Sequence, residues 1–303
     1  MTFADLVSFV AAALSAMGVA LANVMQRKAG LEQGHDRAFG PRFLLDLLRS
    51  PTWLLGFTGL VGSFVLQAVA LGFGQLSAVE PIITLEVPLT LLVAARVFGT
   101  RLGRAEWTGI GVMTAGMIVF IAALAPKEGD AVGVTTTLYA VAGGVTAGLV
   151  VVLLLASRRG TTVWRTACLG AGAGTSFGLT ATMIKETIAQ GERNGLVGVL
   201  TTWQTYTAVG FGIGGLVLVQ WALHTGPLLA AQPGFTLMDP LVSIGWGVFV
   251  FHEAVRTGWW LVPATLGALG VAAGVVVLAR SPLLAQVTGL DEPTQREPIT
   301  AAG

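Results

Sequence analysis

The chain has 303 residues, 54% of them hydrophobic and only 11% charged, and a net charge of +1. A soluble domain carries about 25% charged residues, so the composition excludes an ordinary soluble fold, and the near-neutral balance excludes nucleic acid as a partner. A single Cys168 excludes an internal disulfide, and the scattered His35, His224 and His252 make no zinc spacing.

Residues 3 to 25 are apolar and long enough to cross a bilayer, since about 20 residues span the hydrocarbon core. The segment opens with Asp5 and no basic residue, unlike a cleaved signal sequence. Residues 41 to 50 read as a short amphipathic helix lying on the membrane surface. Further spans are expected at 52–74, 77–98 and 105–125, then, after a linker at 126–134, at 135–156, 163–186, 201–223, 226–250 and 257–279. The tail from residue 281 is polar and expected to be disordered. The fold class is therefore an all-α polytopic membrane protein of nine transmembrane helices, or ten if residues 41–51 cross. Residues 1–125 form a first unit and 135–280 a second.

Charge supports the nine-span reading. One side of the membrane receives 13 of the 17 basic residues, and the other only Lys127, Lys185, Arg193 and Arg256. Basic residues stay cytoplasmic, which puts the N-terminus outside and the C-terminus inside.

Two stretches answer each other at a shift of 152 positions. Pro81 falls on Pro233, Thr84 on Thr236, Pro88 on Pro240 and Gly74 on Gly226. Five crossings separate the matched spans, an odd number, so the halves are expected to form an inverted repeat with a site near the midplane. The first half is expected to lack the helix corresponding to 163–186, or to keep it only as the surface segment near Leu44.

The chemistry is expected in these proline-broken spans. Proline donates no hydrogen bond, so Pro88 should free the Thr84 carbonyl and Pro240 that of Thr236. Glu86 and Asp239 lie near the span centres, where a lipid-exposed carboxylate costs at least roughly 2.5 kcal/mol. Both should face the bundle interior. Gln232, Thr236, Asp239 and Ser243 share one helical face. Glu80, Thr84 and Pro88 share another, with Glu86 about 100° off it in a straight helix. Glu86 either turns inward at the Pro88 kink or serves another role. For Glu80, at the expected helix start, capping is the leading alternative to binding. Gln67, Gln75, Gln204, Tyr206 and Gln220 flank the two stretches; such residues usually bond one helix to another. Lys185 and Glu186 read as a local ion pair, and Glu253 as a solvated helix end. Gly172, Gly174 and Gly178 mark a thin, closely packed helix. Gly111 with Ala115, and Gly270 with Gly274, suit tight packing or a homodimer.

The unit Ala70-Leu71…Pro81…Pro88…Phe98, followed by Trp107-Thr-Gly-Ile-Gly and Met113-Thr-Ala-Gly-Met, resembles the EamA-type repeat of the drug/metabolite transporter superfamily. Phe251-His252-Glu253 resembles the acidic end of that repeat's fourth helix, from which Gly99-Thr100-Arg101 departs. The nine-span layout, Met25-Gln26-Arg27-Lys28-Ala29-Gly30 and Trp53…Gly56 resemble the NIPA group of magnesium transporters within it. The resemblance implies two inverted EamA-type repeats and a permease of the plasma membrane, with a small-molecule or ion substrate and no cofactor. One reading is a secondary carrier for a small metabolite or drug, coupled to an ion or proton, with Asp239 and Glu86 as acceptors. A second is a magnesium transporter in which those carboxylates supply hard oxygen ligands. A third is a scaffold without flux. No Cys/His dyad, metal signature or phosphate-binding glycine loop points to an enzyme.

Overall fold

The computed structural model describes residues 3–32, 50–127, 136–226 and 228–283. The surface segment expected at 41–50 and nearly all of the tail lie outside them. The described chain is all-helical, with one isolated backbone bridge between Lys127 and Ala254. Eight of its helical stretches are long and apolar enough to cross a membrane.

The helices are α1 (Phe3–Glu32), α2 (Pro51–Phe73), α3 (Leu76–Ile83), α4 (Glu86–Phe98), α5 (Arg104–Leu124), α6 (Thr136–Ala156), α7 (Thr162–Thr201), α8 (Trp203–Thr225), α9 (Leu228–Phe249) and α10 (Leu261–Ala279). The expected 77–98 span is thus two helices. The β-branched run Ile82-Ile83-Thr84 weakens the helix, and Pro88 withholds its N–H from the carbonyl of Thr84. The expected 163–186 span is longer than the sequence indicates. Residues 162 to 194 alone rise about 50 Å, before Gly195 breaks the helix at φ 62°, ψ −157°. Residues 187–194, beyond the expected span, read as a loop in the sequence. In the fold side chains here bond one turn apart, Gln190 to Glu186 at 3.0 Å and Asn194 to Gln190 at 3.4 Å.

α1 packs along α2 and α7 along α8; α1 also meets α3 and α4, and α7 meets α9. A Cβ on Gly74 would stand 1.9 Å from Ser8 Oγ of α1, and one on its 152-shifted partner Gly226 would stand 2.4 Å from Thr166 Oγ1 of α7. Each of these two glycines thus sits against a hydroxyl of a neighbouring helix, α1 in one case and α7 in the other.

Glycine makes the close approaches. Cβ atoms on Gly170, Gly174 and Gly178 of α7 would fall 2.4, 2.6 and 2.7 Å from backbone oxygens of Ala231, Phe235 and Asp239 on α9. Gly172, grouped with them in the sequence reading, faces Leu218 and Leu153 instead. α5 and α10 meet backbone to backbone where Gly116 faces Gly267, and Gly274 faces Met113. Gly270 and Gly274 thus serve packing within the chain, while Gly111 has open space around it.

Two apolar clusters divide the bundle lengthwise. One gathers Leu76, Val79, Leu179, Met183, Trp246 and Phe251. The other gathers Val87, Leu91, Met113, Val271, Val275 and Leu278, with Phe235 and Leu237 against it.

Gly174→Leu should abolish the α7–α9 contact, because the neighbour it meets is backbone and cannot retreat. Size-exclusion chromatography of detergent-extracted protein should show loss of the monodisperse peak. Gly111→Ala, with nothing to strike, should leave that peak unchanged.

Candidate functional site

α3 begins where α9 ends, so these two helices run in opposite directions. The contact that fixes this is a single side chain, Glu253. Its carboxylate accepts from Leu76 N–H at 2.7 Å, Ser77 N–H at 3.0 Å, the Ser77 hydroxyl, and Lys185 Nζ at 2.8 Å. Lys185 Nζ also donates to Gly74 O at 3.1 Å and lies 5.4 Å from the Phe251 ring centroid. The first N–H groups of a helix have no partner within it, and a carboxylate beside them also meets the positive end of the helix dipole. Glu253 reaches this position because the chain turns sharply after α9. His252 adopts φ 53°, and Glu253 N–H donates to Gly247 O at 2.8 Å. Gly247 leaves room for it, since a Cβ there would meet Glu253 Oε2.

This arrangement corrects three expectations. Glu253 is buried, at 3% exposure, and is not a solvated helix end. Lys185 pairs with Glu253 rather than with Glu186; Glu186 accepts from Tyr139 OH at 2.6 Å and from Gln190. Glu80 does not cap α3. The helix starts at Leu76, so Glu80 falls in its second turn, buried, where it accepts from Gln67 Nε2 of α2 at 3.1 Å.

Deeper in the bundle, Glu80, Glu86 and Asp239 come within electrostatic reach of one another. The break after Thr84 restarts the helix at Glu86, and this brings in a residue that a straight helix would hold off the shared face. In both proline-bearing spans the carboxylates sit where the chain passes from one apolar cluster to the other. Val79 and Val242 belong to the first; Val87, Phe235 and Leu237 belong to the second.

On α9, Gln232, Thr236 and Ser243 are buried as their spacing predicts. Gln232 Nε2 donates to Thr236 Oγ1 at 3.2 Å. Asp239 Oδ1 and Ser243 Oγ are buried with no hydrogen-bond partner, although such groups are satisfied in nine cases of ten or more. The two side chains lie close enough for the Ser243 hydroxyl to act on the Asp239 carboxylate. Thr84 offers less than its position promised. Its hydroxyl donates to Glu80 O at 3.0 Å, and its carbonyl meets Val87 N–H at 3.4 Å, so Pro88 does not leave that carbonyl bare. Pro81, Pro88 and Pro240 are buried, and Pro233 is partly so. Among the flanking residues, Gln75 and Gln204 are buried outside this group, and Tyr206 is 65% exposed. Among the described residues, no three His, Cys, Asp or Glu stand together as a metal site.

The chain is similar to an uncharacterised protein of Corynebacterium glutamicum, 27% identical over 263 residues, which cover 84% of this chain and 88% of that one. No family model matches the sequence, and no solved structure matches it. With its apolar helices, the chain has the build of a multi-pass membrane protein.

Removing one partner of a buried ion pair typically costs about 3–5 kcal/mol. Glu253→Ala should therefore lower the thermal midpoint in detergent by several degrees. Glu253→Gln should lower it less, because an amide oxygen still accepts from an N–H of α3. Equal midpoints for all three forms would mean that Glu253 does not tie the halves.

Proposed function

We propose that the chain is a secondary transporter of the plasma membrane. It moves a small metabolite or drug by alternating access between two inverted repeats, coupled to a proton or another cation. What supports this most is the grouping of Glu80, Glu86 and Asp239, drawn from the broken span α3–α4 and the oppositely directed, continuous α9. Charged groups at such depth face an interior or a wet cavity, and they mark substrate and ion routes in membrane proteins. A discontinuous helix is the usual frame for a midplane site, and here the first of the two proline-bearing spans is discontinuous.

In this reading, the apolar cluster around Leu76, Val79, Trp246 and Phe251 closes the bundle on the side that carries Glu253. Glu253, bonded to α3 and α7, is the latch of that closure. Three carboxylates within electrostatic reach of one another favour a cationic substrate group or protons. When that positive charge binds, it replaces repulsion among the carboxylates with attraction, and the halves can re-pack around it. The magnesium reading uses the same carboxylates as oxygen ligands.

The test is flux into proteoliposomes. Asp239→Asn keeps the size of the side chain and removes its charge. It should reduce substrate uptake by about tenfold or more, the scale of a lost hydrogen bond to a charged group, at unchanged folded yield. Uptake driven by an imposed proton gradient and indifferent to magnesium supports the carrier. Saturable magnesium entry abolished by the same substitution supports the second reading. Full activity in Asp239→Asn and in Glu80→Gln would remove the carboxylate site altogether.

A further inference from the structure

α6 and α8 flank α7 without packing along one another, which leaves a cleft floored by α7. Its larger part encloses about 520 Å³ among Val150, Leu154, Phe211, Gly214, Leu218 and Trp221. A second part of about 260 Å³ continues past Thr207 and Phe211 to Tyr139 and Trp203. The rims are low because of glycine. Gly143, Gly144 and Gly148 on α6, and Gly210 and Gly214 on α8, would each place a Cβ in open space. From Trp203 to Trp221 the cleft runs about 27 Å along α8, close to the thickness of a hydrocarbon core. The hydroxyls within it are already used: Thr207 Oγ1 donates to Trp203 O, and Ser176 Oγ donates to Gly172 O. The surface that remains is a channel for an apolar chain.

The two ends of the cleft differ in charge. At the Trp221 end, the turn between α6 and α7 presents exposed Arg158 and Arg159, with exposed Arg165 one turn into the helix region that follows. Arg165 Nε is held by Ser157 O at 3.0 Å. The sequence has no acidic residue between Asp130 and Glu186, nor between Glu192 and Asp239, so α8 and the start of α7 bring no carboxylate to that end. At the Tyr139 end, Glu186 and Glu192 outnumber Arg193, and Lys185 is paired with Glu253. An occupant must therefore be apolar along its length and anionic at one end.

We propose that this cleft binds an anionic phospholipid, with an acyl chain laid against α7 between α6 and α8 and the phosphate group at Arg158 and Arg159. Basic clusters at the mouths of grooves between membrane helices recognise anionic head groups in this way. The site stands on the membrane-spanning helices alone and does not depend on transport.

Native mass spectrometry of the full chain, released from nanodiscs of equal phosphatidylglycerol and phosphatidylcholine, reads the occupant directly. The expected result is one retained lipid per chain, with phosphatidylglycerol favoured by roughly tenfold. Arg158→Gln with Arg159→Gln should bring the two lipids to near parity. Gly214→Leu, which fills the cleft, should reduce retention of both. The arginines lie on an exposed turn, so their substitution decides the matter even if Gly214→Leu fails to fold. Equal retention of the two lipids by the unaltered chain, a preference that survives loss of both arginines, or a lipid-free dimer cross-linked through Gly214→Cys would each overturn the proposal; the last would assign the cleft to a second copy.

Discussion

A helix that starts inside an apolar bundle must find acceptors for its first N–H groups, and in this chain the acceptor comes from the far end of the sequence. α3 cannot continue from α2, because Gly74 and Gln75 adopt extended backbone between them. Leu76 and Ser77 are thereby left with N–H groups that water cannot reach, a cost of several kcal/mol each in hydrocarbon. Glu253 satisfies both and is itself neutralised by Lys185. Three elements distant in sequence are thus bound at one point, and the antiparallel course of α3 and α9 goes with it.

The tie has no twin in the first half. At the same shift of 152 positions, Arg101 takes the place of Glu253, and Thr100 and Arg101 are both exposed. Under the alternating-access reading, the two closures are therefore unequal in chemistry, one sealed by a buried ion pair and the other not. Such a difference sets the ratio of the two conformers before any substrate binds. A single residue beyond the end of α9 carries it.

Much of the fold is legible in the residues. Runs of about twenty apolar side chains admit few structures other than spanning helices, so the order and rough limits of the helices can be read directly. The α9 face of Gln232, Thr236 and Ser243 was legible too, because a continuous helix keeps its period. Glu86 was not, because its direction depends on a break whose angle no periodicity encodes. Glu80 misleads in the opposite way: α3 starts earlier than its prolines suggest, and a residue placed at the cap falls inside. Glu253 is the clearest loss. Its acceptor role is defined by N–H groups 176 and 177 residues away, and nothing local distinguishes it from a polar helix end. The continuation of α7 was hidden because Gln190 and Asn194 read as loop until their one-turn spacing from Glu186 is followed.

The two proline-bearing spans share landmarks but differ mechanically. In the first, β-branched Ile82, Ile83 and Thr84 precede Pro88, and the helix parts into α3 and α4. In the second, Gly234-Phe-Thr-Leu-Met precedes Pro240, and α9 runs unbroken from Leu228 to Phe249. The second span is also clamped along its length by the glycine face of α7, which brings backbone against backbone. A clamped continuous helix resists bending, whereas a two-residue joint at Thr84 and Leu85 concentrates it. Glu80 and Glu86 lie on opposite sides of that joint, and Asp239 lies on the rigid partner. Flexing the joint therefore changes the spacing of the two glutamates while Asp239 stays fixed against α7. Under the transport reading, charge bound among the three carboxylates and the angle between α3 and α4 are in this way coupled through the geometry of one short break.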